Sequence, residues 1–173
     1  RVRLPLADVV HVVGGHQRQV QVPRQLDHPL DPPGLVGEAV VLHLQEKVAG
    51  TFGRNGRARA KGAYDLKKVK FPVKYIAKKP QDITFKPLGF NSEMTARDIL
   101  ERTEKGKQYG HIIKDAKTYN VWEDASGKIL AFEPITNSNE AGNVTRETTN
   151  VFLECTGDSQ KQLNIAISVV ATA

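Results

Sequence analysis

The sequence predicts an α+β fold, on two observations. Short strand-like runs recur between turn signals at Val69–Ile76, Ile83–Phe85, Tyr119–Phe132 and Asn150–Cys155. One capped helical run interrupts them, from Ala96 to about Lys105.

Residues 1–43 differ in composition from the rest. They hold no lysine, whereas the remainder has fifteen, and they carry four of the five histidines, His11, His16, His28 and His43. Val9–Val13 and Val20–Val22 fit short strands, but no period is sustained and Asp31-Pro32-Pro33-Gly34 breaks the chain. The segment is therefore expected to be irregular, with a reading frame that is not the native one. The histidine spacings of five, twelve and fifteen, with no cysteine nearby, point away from a metal site. The chain begins with Arg1, without a signal peptide, and is expected to be a fragment.

Charge is uneven. The total is +6. Between Lys47 and Lys86 twelve cations face Asp65 and Asp82, whereas from Pro87 onward twelve acids face nine cations. This polarity favours an anionic partner, nucleic acid first. In Thr51–Gly62, glycines interleave with Arg54, Arg57, Arg59 and Lys61. Glycine lets a backbone approach phosphate and the cations neutralise it, so these four are the candidate RNA contacts, although the fixed spacing of a phosphate loop is missing. Cys155 is the single cysteine, which excludes an internal disulfide and fits a reducing, cytoplasmic setting. No apolar run reaches membrane-span length, so no membrane partner is expected.

Taken in order, Leu44–Val48 fits a short helix. Val69–Ile76 alternates apolar residues with lysine, and Pro72 favours an edge or a strand start. Thr95 and Asp98 have capping-box spacing, and Gly106 is placed to end the helix. Tyr109, Ile112 and Ile113 continue at helical spacing. Tyr119–Trp122, the turn Asp124–Gly127 and Lys128–Phe132 form the clearest hairpin. From Leu130 to Gly157 the chain reads LAFEPITNSNEAGNVTRETTNVFLECTG, two apolar runs around a polar loop. That arrangement presents side chains to a ligand. For Leu163–Val170, alternation favours a strand and the cap at Asp158 favours a helix; the pattern leaves both open.

The motifs LQEKVAGTFGRNGRARAKGAYDL, VKYIAKKPQDITFKPLG, EMTARDILERTEKGKQYGHII, YNVWEDASGKILAFEPITNS and GNVTRETTNVFLECTG, then LNIAISVVATA, occur in this order. Together they resemble the tRNA-editing module of the phenylalanyl-tRNA synthetase β subunit, of the archaeal and eukaryotic type, over about residues 44–173. The resemblance implies a mixed sheet with flanking helices, a helix at Leu163–Thr172, and hydrolysis of tyrosine from mischarged tRNA(Phe). An apolar pocket discriminates weakly against an isostere that adds a hydroxyl, which is why a second, hydrolytic site is needed.

The family loop reads close to S-F-P-P-I-I-N. Here Pro134, Ile135 and Asn137 match it, while Ala131, Glu133 and Thr136 depart. The resemblance thus implies a substrate pocket of Asn137, Pro134, Ile135, Ala131 and Glu133, with Thr145 from the V-T-x-E-T-x-N pattern. It implies tRNA(Phe) and a synthetase α subunit as partners. It implies no metal or cofactor for this fragment, although a full synthetase would use ATP and magnesium. The alternative is a non-catalytic RNA-binding or structural module of the synthetase, and a third reading is a fragment without function.

Overall fold

A computed structural model describes residues 9–13, 18–20, 59–145, 147–148 and 150–157. The chain divides into two compact units. One takes Arg1–Gly14, Val22–Lys67 and Val144–Ala173; the other takes Gly15–Gln21 and Lys68–Asn143.

In the first unit, strands β1 (Val9–Val13), β3 (Arg59–Asp65) and β10 (Val151–Gly157) form a sheet with β10 in the centre. β10 runs antiparallel to β3 and parallel to β1. Tyr64 and Phe152 are opposite partners and fully buried, with ring centroids 5.6 Å apart. Arg59–Gly62, the end of the glycine- and arginine-rich stretch, lies in strand β3, which is paired residue for residue with β10. A Cβ at Gly62 would lie 2.2 Å from the Tyr64 hydroxyl and 2.5 Å from Glu154 Oε1, so this glycine makes room for a buried pair rather than for phosphate.

The second unit is an antiparallel sheet in the order β2 (Arg18–Val20), β4 (Val73–Lys78), β7 (Tyr119–Glu123), β8 (Ile129–Phe132) and β9 (Thr136–Asn137). Beside it lies a ribbon of β5 (Thr84–Phe85) and β6 (Met94–Thr95). The core joins Ile83, Phe85, Ala96, Ile99, Tyr119, Val121, Ile129, Phe132 and Ile135. Each large aliphatic side chain there, truncated to alanine, should cost about 2–5 kcal/mol.

The helix is two helices. Helix α1 (Ala96–Arg102) starts with the expected Thr95–Asp98 capping box, and α2 (Glu104–Tyr109) follows at once. Thr103 between them is extended, with φ −88° and ψ 152°. Its hydroxyl donates to the Ile99 carbonyl at 2.7 Å and accepts from the Gly106 N–H at 2.9 Å, closing one helix and capping the next. Gly106 therefore does not end the helix. It sits inside α2, where a Cβ would lie 2.0 Å from the Ile99 carbonyl oxygen. A 3-10 turn at Gly110–Ile112 then continues the chain.

The β7–β8 hairpin is where the pattern placed it, and Asp124 organises its turn. Its Oδ1 accepts from the Ser126 N–H, the Ser126 hydroxyl and the Lys128 N–H, and its Oδ2 accepts from the Lys70 N–H. Lys70 in turn gives its carbonyl to the Ala125 N–H. This tie holds residues 69–72 outside the strand, so β4 begins at Val73 rather than Val69. Gly127 supplies the positive φ of 82° that the turn requires. Of residues 1–43 only β1 and β2 are described. Leu44–Val48, Arg54, Arg57 and the Leu163–Thr172 segment lie outside the described residues.

Burial works against the Asp124 charge, but the donors from Ser126, Lys70 and Lys128 outweigh it and hold the carboxyl below its ordinary value of 3.8. Its stabilisation is present above that ordinary value and is lost as pH falls through the folded value. We expect Asp124→Ala to cost about 2–3 kcal/mol in urea denaturation at pH 7, and the gap from the unsubstituted chain to narrow in strongly acidic solution.

Candidate functional site

The polar stretch after β8 is built into the second unit rather than left as a solvated connection. After Glu133 and Pro134, β9 pairs with β8. The other edge of β9 faces the segment Lys86–Gly89. The Leu88 N–H donates to the Asn137 carbonyl at 2.8 Å, and the Asn139 N–H donates to the Lys86 carbonyl at 2.8 Å. Ser138 is buried; its N–H donates to the Leu130 carbonyl, and its hydroxyl accepts from the Ala141 N–H as the N-cap of α3 (Asn139–Gly142). The motif Ser-Asn-Glu-Ala carries that cap in the sequence, and reading it as part of a loop missed it.

The register places a row of residues on one face. Asn137 pairs with Ala131, Ala131 with Trp122, and Trp122 with Tyr75. Val121 and Phe132, the neighbours of Trp122 and Ala131, pair with each other and point into the core, so the row occupies the opposite face. Asn137 is half-buried, Ala131 is nearly inaccessible, and Trp122 is fully buried with its ring 5.0 Å from Tyr75. The Trp122 indole N–H meets no acceptor among the described residues. A buried donor of this kind is costly unless something supplies an acceptor. Gly142 crowds Asn137 from α3: a Cβ there would lie 2.8 Å from the Asn137 Cβ.

The other sequence-derived residues are distributed as follows. Ile135 is buried in the core cluster and reaches the site through its backbone, whose N–H donates to the Phe132 carbonyl at 2.7 Å. Glu133 is 7% exposed and its N–H donates to the Asn120 carbonyl. Pro134 is half-buried. Thr145 belongs to the first unit, where its hydroxyl accepts from the Glu147 N–H and its N–H donates to the Thr148 hydroxyl, which in turn donates to Asp65 Oδ2 at 3.5 Å. Arg59 and Lys61 fall on β3, opposite Gly157 and Cys155.

A second polar pair escaped the sequence reading. In the first unit Glu154 is 2% exposed, and the Tyr64 hydroxyl donates to its Oε1 at 3.2 Å. A strand of alternating character carries no signal that tells a buried carboxylate from an exposed one. Among the described residues no group of three histidine, cysteine or acidic side chains is placed to hold a metal ion, and no helix is long and apolar enough to cross a membrane.

No family model matches the chain. It is 47% identical over 133 residues to the phenylalanine–tRNA ligase β subunit of Thermococcus gammatolerans, covering 77% of this chain and 23% of that protein. It is 44% identical to the β subunit of Pyrococcus horikoshii over the same share of this chain and 24% of the relative. The chain belongs to the phenylalanine–tRNA ligase β-subunit family. It spans about a quarter of the length of these relatives. A crystal structure of an N-terminal fragment of the phenylalanyl-tRNA synthetase β subunit from Pyrococcus horikoshii superposes with a TM-score of 0.71 at 43% identity, over 75% of this chain and 37% of that one. The α+β fold implied by the motifs is thus the fold of this family.

Gly142→Ala should destabilise the chain by about 1–3 kcal/mol in urea denaturation, because the new methyl meets the rigid Cβ of Asn137 rather than a flexible tip. An unchanged denaturation midpoint would mean that α3 is not packed against Asn137.

Proposed function

We propose that this chain hydrolyses the ester of mischarged tRNA(Phe), releasing tyrosine, as the editing module of a phenylalanine–tRNA ligase β subunit. The observation that carries the reading is the row Asn137–Ala131–Trp122 on one face of the sheet. It combines a half-buried amide, a small buried residue, and a buried donor without an acceptor among the described residues.

An editing pocket must hold an aminoacyl group and orient water without hydrolysing the correct product. The Asn137 amide offers both a donor and an acceptor, which suits an ester carbonyl or an incoming water. The indole N–H of Trp122 suits an acceptor oxygen of the bound ligand. Water adds to the ester carbonyl, and the bond to the ribose oxygen breaks. The products are free tyrosine and a tRNA with its ribose hydroxyl restored. No protein nucleophile is needed, and orientation with charge stabilisation accounts for the rate.

In this reading the partners are tRNA(Phe) and a synthetase α subunit, and the setting is the cytoplasm, where translation occurs. Basic residues before Lys86, among them Arg54, Arg57, Arg59 and Lys61, are the contacts to RNA phosphates. ATP and magnesium belong to the charging reaction of the full ligase rather than to this ester hydrolysis.

Deacylation of Tyr-tRNA(Phe) by the 173-residue chain tests the proposal. Asn137→Ala should lower kcat/KM by about 10- to 1,000-fold, while leaving the salt dependence of tRNA binding intact. Salt-dependent tRNA binding without deacylation above the uncatalysed rate would instead support a non-catalytic RNA-binding module.

A further inference from the structure

Two large apolar side chains are well exposed among the described residues, Ile112 and Phe90. A single exposed apolar residue is ordinary. Phe90, at 38% exposure, is set apart by how it is held and by what holds it. The Phe90 N–H donates to the Pro87 carbonyl at 3.0 Å, closing the turn Pro87-Leu88-Gly89-Phe90. Gly89 at its third position has φ +85°, the conformation a type II turn demands there. A Cβ on Gly89 would meet no heavy atom within 4 Å, so the tip of this turn stands in open space.

The base of the same turn is bound to the site strand. Leu88 bonds to Asn137, Lys86 to Asn139, Pro87 bridges Ser138, and the Gly89 N–H reaches Asn139 Oδ1 at 3.5 Å. Phe90 lies two residues beyond Leu88, a backbone reach of at most about 7 Å. That is comparable to the span of one nucleotide. An exposed aromatic residue on a turn bonded to the strand that carries Asn137, in a segment that also carries Lys86, matches how proteins hold an unpaired base. The turn fixes the backbone at Phe90 in advance, so less ordering entropy is lost when a base stacks there.

We infer that Phe90 is the stacking platform for an unpaired base at the 3′ end of the RNA, and that it sets the ester-bearing ribose beside Asn137. The inference rests on the reading of Asn137 as part of the ester site, and it adds a residue and a part of the substrate to that reading.

The test is binding of the 173-residue chain to uncharged tRNA(Phe) with an intact 3′ end and to the same tRNA lacking its terminal adenosine. The unsubstituted chain should bind the intact RNA about 5- to 100-fold more tightly. Phe90→Ala should bind both alike, and Phe90→Trp should keep the preference. Because Phe90 is exposed, circular dichroism and thermal unfolding of both variants should match the unsubstituted chain. Equal binding of the two RNAs by the unsubstituted chain, no binding, or a preference that survives Phe90→Ala overturns the inference, and leaves the ring as a protein contact or ordinary surface. Deacylation of Tyr-tRNA(Phe), measured in parallel, separates the two ideas. Activity that is indifferent to Phe90→Ala keeps the editing site and removes the platform. A Phe90-dependent preference for the intact end without any deacylation keeps the platform and removes the editing site.

Discussion

The backbone pairing of Thr136–Asn139 is the constraint on which the site depends. A polar stretch after a buried strand has no apolar side chains of its own to anchor it. Here one edge is satisfied by β8 and the other by Lys86–Gly89, and Ser138 closes the first turn of α3. Each of these bonds is modest on its own. Together they leave Asn137 one position: opposite Ala131, against Gly142, and in line with Trp122. Shifting β9 by one residue would exchange its two faces and turn Asn137 into the core.

The hairpin and its turn were legible because Asp124, Ser126 and Gly127 carry the turn chemistry locally. The cap of α1 was legible for the same reason, since Thr95 and Asp98 satisfy each other within one turn. The break at Thr103 was not, because a threonine followed by Glu104 inside a helical run reads as continuation. It takes the close approach of Gly106 to the Ile99 carbonyl to turn it into a corner. The strand β3, RAKGAYD, carries at its centre a glycine, a residue depleted in strands, so its local sequence does not mark it. What makes it a strand is a partner ninety residues away, where Glu154 and Tyr64 need the space over Gly62.

The site divides in the same way. Asn137, Pro134 and Ala131 were legible through the order of motifs, and the register gives Asn137 and Ala131 their common face. Ile135 was legible as a residue of the same loop, but its side chain belongs to the core and its backbone to the turn. Trp122, which the proposed function adds to the site, carries no such signal in the sequence. Tryptophan in a strand is most simply a core residue, and only pairing across three strands aligns it with Asn137. Thr145 has its hydroxyl bonded within its own turn, in the first unit.

The account stands or falls on whether the face shared by Asn137 and Trp122 receives the aminoacyl end of RNA. Trp122 is the one tryptophan of the chain, so its indole N–H gives a single, unambiguous nuclear magnetic resonance signal. The chain would be titrated with a non-hydrolysable adenosine carrying tyrosine through an amide at its 3′ position, with adenosine alone as the control. The indole signal should move to the frequency of a hydrogen-bonded donor as the tyrosyl compound saturates, and move far less with adenosine. An indole signal that stays in place while the compound binds would contradict it.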